Sequence, residues 1–289
     1  MNRLIIGCGY LGKKVALALR RQGVDATGVV RSEAGVSALA ALGIEALRVD
    51  LDDPDTPPLP LSGCELFYFA PPPRSGIKDS RVARLLAACD RQGAPRRIVY
   101  LSTTGVYGDC AGDWVDETRP VKPVAERALR RRDAEERFHQ WCQTRPTELV
   151  ILRVAGIYGP GKLPLERLRK RLPMVREEEA PYTNRIHIDD LVQVSLAAMT
   201  QGGNGEVYNV SDGHPGNMAD YFNRIADRTG LPRPPSISLA EVEGRLSAGM
   251  LSYMRESRRL DNRKMLRELG VVLRHKDLES GLAFLDSEL

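Results

Sequence analysis

M-N-R-L-I-I-G-C-G-Y-L-G, residues 1–12, places a short apolar run, Leu4-Ile5-Ile6, directly before glycines at 7, 9 and 12. The run is long enough for a buried strand. From Tyr10 to Arg20 the apolar spacing turns helical, with Leu11, Val15, Ala18 and Leu19 on one side. A strand, a G-x-G-x-x-G turn and a helix in that order form a cradle for a dinucleotide pyrophosphate. Gly7 permits the tight turn, Gly9 lets backbone approach the anion, and Gly12 lets helix and strand pack closely. The unpaired N–H groups at the helix start, around Tyr10 and Leu11, face the negative charge.

The chain beyond repeats the alternation. Val24 to Val30 reads as a second strand ending at Arg31-Ser32. An acidic residue there would accept from a ribose 2′-hydroxyl; Arg31 with Ser32 suits the 2′-phosphate of NADP, so NADP is expected in preference to NAD. An exposed strand-end arginine would read the same way. Ala34 to Leu42 reads as a helix and Ile44 to Val49 as a third strand, closed by Asp50-Leu51. Asp50 meets an adenine amino group or caps the turn. Asp53 to Pro60 holds four prolines and predicts an extended connection. The apolar strand Cys64 to Ala70 runs into Pro71-Pro72-Pro73, a rigid rim beside the cofactor phosphates or nicotinamide ribose. Lys78 to Gln92 is an amphipathic helix, and Arg97 to Leu101 a fifth strand followed by Ser102-Thr103-Thr104. This order predicts an α/β fold, a Rossmann-type doubly wound parallel sheet. Ligands sit outside the carboxyl ends of such strands, which puts the three hydroxyls where chemistry happens.

Composition excludes several classes. With 289 residues, 42% hydrophobic and 28% charged, the chain reads as a soluble globular protein. A net charge of +4 is too small to argue for a nucleic-acid or membrane partner. The five cysteines show no C-x-x-C and no histidine cluster, which predicts a reduced, cytoplasmic protein without a structural metal. The strand at the start and the lack of a long apolar run predict neither a signal peptide nor a membrane span. Residues 1–160 are expected to form the dinucleotide-binding domain, its sheet completed by about 183–212. Residues 161–289 are expected to form mainly a small C-terminal substrate-binding lobe, interleaved with it in one structural unit.

Further motifs follow in order: V-Y-L-S-T-T-G-V-Y-G at Val99–Gly108, D-E-T-R-P at Asp116–Pro120 and I-L-R-V-A-G-I-Y-G-P-G at Ile151–Gly161. Then come R-I-H-I-D-D-L at Arg185–Leu191, V-Y-N-V-S-D-G at Val207–Gly213 and D-N-R-K-M-L-R-E-L-G at Asp261–Gly270. Together with the glycine turn, they resemble the extended short-chain dehydrogenase/reductase family, also called the NAD-dependent epimerase/dehydratase family. The resemblance implies a bound NAD(P), with Gly7 to Gly12, Asp50, Leu51, Ala70, Pro71, Pro72 and Ser102 along its path. It places Thr103 at the catalytic Ser/Thr position, Tyr158 near the nicotinamide, and Thr104, Tyr107, Arg185 and His187 on the substrate side. It also makes Lys78–Gln92 and Val121–Thr144 candidate surfaces for a homodimer.

One part of the pattern is broken. The family carries Tyr-x-x-x-Lys on the helix after strand five, whereas Val124–Phe138 reads V-A-E-R-A-L-R-R-R-D-A-E-E-R-F. Matching Glu135 to the acidic residue that often follows the family lysine puts Arg127 at the tyrosine position and Arg131 at the lysine position. At about 100° per residue, Arg127, Arg131 and Glu135 share the apolar side with Val124, Ala128, Ala134 and Phe138. Glu126, Arg130, Asp133 and Arg137 fall opposite, as solvated pairs. Glu135 is expected to pair Arg131, leaving Arg127 for a phosphate, ribose or substrate carboxylate; alternatively both arginines snorkel to solvent. Arginine keeps its proton, so it cannot act as the general base, though it can bind an anion or stabilise negative charge. The chain thus resembles the atypical groups of the family.

Of the remaining third, Leu163–Leu172 reads as a basic helix with an exposed face, Pro173–Asn184 as a flexible loop over the site, and Leu231–Pro235 as a linker. The helical segments after it should complete the lobe. The expected function is an NADP(H)-dependent epimerase/dehydratase-like oxidoreductase acting on a small, sugar-like or nucleotide-linked substrate. In it Thr103 bonds the reacting oxygen, Arg127 and Arg131 assist electrostatically, and water, Tyr158, Tyr182 or His187 carries the proton. The alternative is a non-catalytic NAD(P)-binding redox sensor or regulatory protein. Open room beside the nicotinamide favours an enzyme, and a plugged site favours the sensor.

Overall fold

The computed structural model describes residues 2–53 and 57–287, so three residues of the proline-rich connection lie outside it. Seven strands form one parallel sheet: β1 (Arg3–Ile6), β2 (Thr27–Val30), β3 (Ala46–Arg48), β4 (Glu65–Tyr68), β5 (Arg97–Thr103), β6 (Glu148–Val154) and β7 (Val207–Val210). Their order across the sheet is β3-β2-β1-β4-β5-β6-β7. The winding reverses between β1 and β4, which opens a crevice at their carboxyl ends. Both faces are covered, so the strands are apolar throughout rather than alternating.

On one face lie α1 (Tyr10–Arg21) and, from later in the chain, residues 188–201 and 263–269. Leu11, Val15 and Leu19 of α1 pack there over Ile5, Phe67 and Val99, as the helical spacing predicts. α2 (Glu33–Ala40) flanks β2 and β3. On the other face α3 (Ser80–Gln92) and α4 (Glu126–Gln143) pack Val82, Leu85 and Phe138 over Leu4, Tyr68 and Tyr100.

The C-terminal lobe holds α5 (Leu165–Arg169), α7 (Met218–Thr229), α8 (Ala248–Met254) and α10 (Leu278–Leu282), while α6 (Ile188–Gln201) and α9 (Arg263–Leu269) belong to the sheet layer. The last assignment corrects the expectation that all terminal helices build the lobe. Met265 and Leu269 of α9 are fully buried against the sheet core. The expected helix over 163–172 is only five residues long. It ends at Arg169, and Arg171, two residues further on, is a non-glycine residue in the left-handed region (φ 49°). Its Arg167 turns inward over the Phe222 ring rather than out to solvent. Residues 173–184 are not a bare loop either. Met174–Val175 pairs with Ser236–Ile237, and Tyr182–Thr183 with Gly216–Asn217. No helix among the described residues is long and apolar enough to cross a membrane.

Asp190 of α6 locks the C-terminal segment in place. Its carboxylate is fully buried and accepts from the backbone N–H groups of Arg274 (2.7 Å) and His275 (2.9 Å). Asparagine offers one acceptor oxygen, so one buried N–H then faces another donor, at a cost of about 2 kcal/mol. Asp190→Asn is expected to lower the urea midpoint accordingly. An unchanged midpoint would show that apolar contacts alone hold this segment.

Candidate functional site

The glycine turn sits at the carboxyl end of β1. Gly7 has φ 85°, and a Cβ there would lie 2.6 Å from Ala70 Cα, so side chains are excluded twice over. A Cβ on Gly12 would meet Ile5 Cγ2 at 3.0 Å, which is the close helix–strand contact the motif requires. Gly9 has open space around it, with nothing nearer than Gly7 O at 4.0 Å. No side chain caps α1, so its first-turn N–H groups point at this opening. The turn is pinned by Gly7 N and Cys8 N, both donating to Val29 O.

The neighbouring strand ends form its rim. Arg31 is exposed at the end of β2, and Ser32 caps α2 by accepting from Gly35 N at 3.2 Å. After β3, Asp50 Oδ1 accepts from Asp52 N at 2.9 Å, closing the turn that carries Leu51. Arg81, which no motif in the sequence marks, joins two rims. Its Nε donates to Asp52 (2.9 Å) and its Nη1 to Pro71 O (2.8 Å). Asp79 caps α3 through Oδ1, which accepts from Arg81 N and Val82 N.

At the end of β5 the three hydroxyls separate. Ser102 Oγ donates to Glu135 Oε1 at 2.5 Å and so faces the interior. Thr103 Oγ1 accepts from Gly105 N (3.2 Å) and caps the short turn of 3₁₀ helix at Thr104–Tyr107. Thr104 is buried and lines a pocket. Tyr107 is committed elsewhere: its hydroxyl donates to Asn209 Oδ1 (2.7 Å) and accepts from Arg153 Nη1 (3.0 Å). Burial pushes its pKa up to about 12.

Helix α4 departs from its expected pairing. Glu135 is buried but pairs Arg153 of β6, at 2.8 and 3.2 Å, and not Arg131. Arg153 was not foreseen, although a lone charge inside the apolar run I-L-R-V-A is the signature of a buried partner. Arg131 instead donates to Ala70 O and Tyr100 Oη, both at 3.3 Å. It lies near Asp79, whose Oδ2, like the Tyr68 hydroxyl, has no hydrogen-bond partner among the described residues. Arg127 reaches into the lobe, donating to Ser252 Oγ (2.7 Å) and stacking 4.3 Å over the Tyr253 ring. Arg130 is 6% exposed and not solvated as expected, because its guanidinium turns back to bond Gly76 O. Val124, expected on the buried side, is 81% exposed because α4 begins only at Glu126.

Beside Thr104 a cavity of about 240 Å³ opens between the sheet edge and the lobe. Gly156 to Tyr158 form one wall; Tyr182, Arg185, Tyr221 and Tyr253 form others. Tyr158 is 1% exposed and donates to Asp277 O at 3.3 Å, and burial raises its pKa. His187 caps α6 by accepting from Asp189 N at 3.3 Å. Its Nε2 has no partner among the described residues, and its ring lies 3.7 Å from that of His275. Burial, reinforced by His275, lowers its pKa to about 4, so it is neutral at pH 7. The geometry therefore brings Thr104, Tyr158 and Arg185 to one cavity and Gly7 to Gly12, Arg31, Asp50 and Ala70 to the adjoining rim. It gives Ser102 and Tyr107 interior partners and sets His187 as the cap of α6 through Nδ1 alone.

Known proteins resemble this arrangement over the whole chain. The model of the NAD dependent epimerase/dehydratase family matches residues 80–211. The chain is 28% identical over 288 residues to the protein YeeZ of Escherichia coli K12, covering 94% of this chain and 96% of that one. A structure described as a functionally unknown conserved protein from Silicibacter pomeroyi is 32% identical, with a TM-score of 0.84 over 99% of this chain and 98% of that one. The UDP-glucose 4-epimerase of Thermotoga maritima with UDP-glucose is 19% identical and shares the fold, with a TM-score of 0.75 over 100% and 99%.

Proposed function

The chain belongs to the NAD-dependent epimerase/dehydratase family, and from that premise we propose that it is an oxidoreductase using NADP(H) in preference to NAD(H) on a small substrate. The residues present fit the cofactor. Gly7 has no room for a side chain, Gly12 packs tightly against Ile5, Gly9 is open, and no described side chain caps α1. In this reading the turn from Gly7 through Tyr10 and Leu11 to Gly12 holds the pyrophosphate, and Arg31 with Ser32 meets the 2′-phosphate. Asp50 and Leu51 border the adenine, and Ala70, Pro71, Pro72 and Arg131 border the ribose near the reacting end. Bound there, the nicotinamide supplies hydride transfer.

The observation that carries the enzyme reading is the open cavity beside Thr104, where a plugged site would have favoured a sensor. Thr103 orients the reacting oxygen, with Thr104 behind it. Arg127 stays protonated and contributes charge, not a base. Tyr158 bonds Asp277 O and has a raised pKa, and His187 caps α6 through Nδ1 and is buried outside the cavity wall, which leaves Tyr182 or water to carry the proton. Tyr182, 45% exposed, lines the cavity. Five free, buried cysteines suit a reducing, cytoplasmic setting.

Fluorescence titration tests the cofactor reading. Wild type is expected to bind NADPH more tightly than NADH. Arg31→Ala should weaken NADPH by about tenfold, the value of one exposed charge-assisted contact, and leave NADH unchanged. Equal losses for both dinucleotides would place Arg31 outside the 2′-phosphate site.

A further inference from the structure

Four arginines are buried to a similar degree: Arg130, Arg153, Arg185 and Arg258 are 6–8% exposed. Three have a carboxylate within 4 Å. Glu126 lies 3.5 Å from Arg130, Glu135 2.8 Å from Arg153, and Glu256 3.0 Å from Arg258. Arg185 has none among the described residues. Its Nη2 donates to Asn217 O at 3.2 Å and lies 3.9 Å from Met218 Sδ; its Nε and Nη1 donate to no described residue. The two carboxylates whose charge reaches it from further off are already engaged, Asp212 by His214 N (2.9 Å) and Asp220 by Arg224 (2.7 Å). The guanidinium stacks 4.2 Å over the Tyr221 ring, and both residues line the cavity beside Thr104.

A buried guanidinium without a counter-charge is costly, and proteins keep one where an anion completes it. Most of its five donors remain available, in a planar array that matches carboxylate and phosphoryl oxygens. The one carboxylate in the cavity wall, Glu256, is neutralised by Arg258, so the cavity keeps the charge of Arg185. At about 240 Å³ it is smaller than the roughly 300–1,000 Å³ typical of drug-sized ligands. The exposed rings of Tyr182 and Tyr253 stand at its wall and cover the apolar part of a guest.

We propose that the substrate carries an oxyanion, a carboxylate or phosphoryl group, bound by Arg185 within this cavity. This rests on the substrate-pocket reading above and narrows it to small acids. Arg185 then fixes the anionic end, and the rest of the molecule extends toward Thr103 and Thr104.

The test is isothermal titration of the protein, with and without saturating NADPH, using acetate, inorganic phosphate and the neutral isostere acetamide at fixed ionic strength. Acetate or phosphate is expected to bind wild type and acetamide not. Arg185→Gln should weaken the anion about ten- to hundredfold, the worth of charge-assisted hydrogen bonds, and Arg185→Lys should retain part of the affinity. Arg185→Gln should also unfold at an equal or higher urea concentration than wild type, because it removes an uncompensated buried cation. Equal anion affinity in wild type and Arg185→Gln would overturn the proposal, as would no anion binding by a protein that binds NADPH. Arg185-dependent anion binding by a protein that binds no dinucleotide would sustain the site and overturn the cofactor reading instead.

Discussion

Glu135→Ala is expected to lower the unfolding free energy by about 4 kcal/mol, a large fraction of the stability of a typical domain. Glu135 anchors a buried chain of polar groups beneath the carboxyl end of β5. It accepts from Ser102 and pairs with Arg153, which donates to Tyr107, which in turn donates to Asn209. Asn209 continues the chain by donating to Val115 O at 3.1 Å. Every member is satisfied, so removing the carboxylate strands a guanidinium that is 8% exposed. Burial disfavours its charge, while Glu135 and Tyr107 hold the proton on. Urea midpoints check the magnitude, and the melting temperature should fall by roughly 10 °C. The double variant Glu135→Met/Arg153→Met should recover most of the loss, because well-packed apolar residues replace a buried pair at little cost. A loss under about 1 kcal/mol for Glu135→Ala would mean that Arg153 finds another partner or water, and that Ser102 and Thr103 are positioned by the strand alone.

The sheet was legible because its signals are local. The apolar run Leu4–Ile6, the three glycines and the spacing of Leu11, Val15 and Leu19 each dictate one element. Their succession dictates the winding. Helix α4 shows where such reading stops. Helical spacing placed Arg127, Arg131 and Glu135 on one inward side, and the three do turn inward. Which partner each finds depends on residues distant in sequence. Glu135 is claimed by Arg153 from β6, and Arg127 by Ser252 and Tyr253 from α8, 125 residues away. Arg130 was misread because an exposed helical phase assumes open solvent, and the chain around Gly76 covers that phase. The lobe was least legible. Its strands are two residues long and paired across the chain, too short to carry a period of their own. Arg81 was missed for a related reason: joining Asp52 to Pro71 requires knowing that β3 and β4 end on one rim.

Between pH 4 and 6.5, two buried groups are expected to pull stability in opposite directions, and single substitutions should expose each. His187 ordinarily titrates near 6.5 but is held at about 4 by burial and by His275, against the opposing pull of Asp189 and Asp190. The unfolded chain therefore takes up its proton first. The stabilisation is full above about pH 6.5 and is lost as pH falls through about 4, a change of about 3 kcal/mol. Asp212 is 5% exposed and behaves inversely. Burial pushes its pKa from 3.8 up to about 6, outweighing the His214 N–H and Arg185. Its folded form holds a proton the unfolded chain has released, so its contribution is full below about 3.8 and is lost as pH rises through about 6, again by about 3 kcal/mol. His187→Asn keeps a side-chain oxygen to cap α6, and Asp212→Asn keeps an acceptor for His214 N. Relative to wild type, His187→Asn should lose stability as pH rises from 4 to 6.5, and Asp212→Asn should lose it as pH falls over the same range. Urea midpoints at pH 4, 5, 6 and 7 for the three proteins decide it. Parallel profiles for wild type and His187→Asn would mean that the His187 ring is hydrated and titrates as a free histidine. The neutral histidine cap of α6 would then be lost with it.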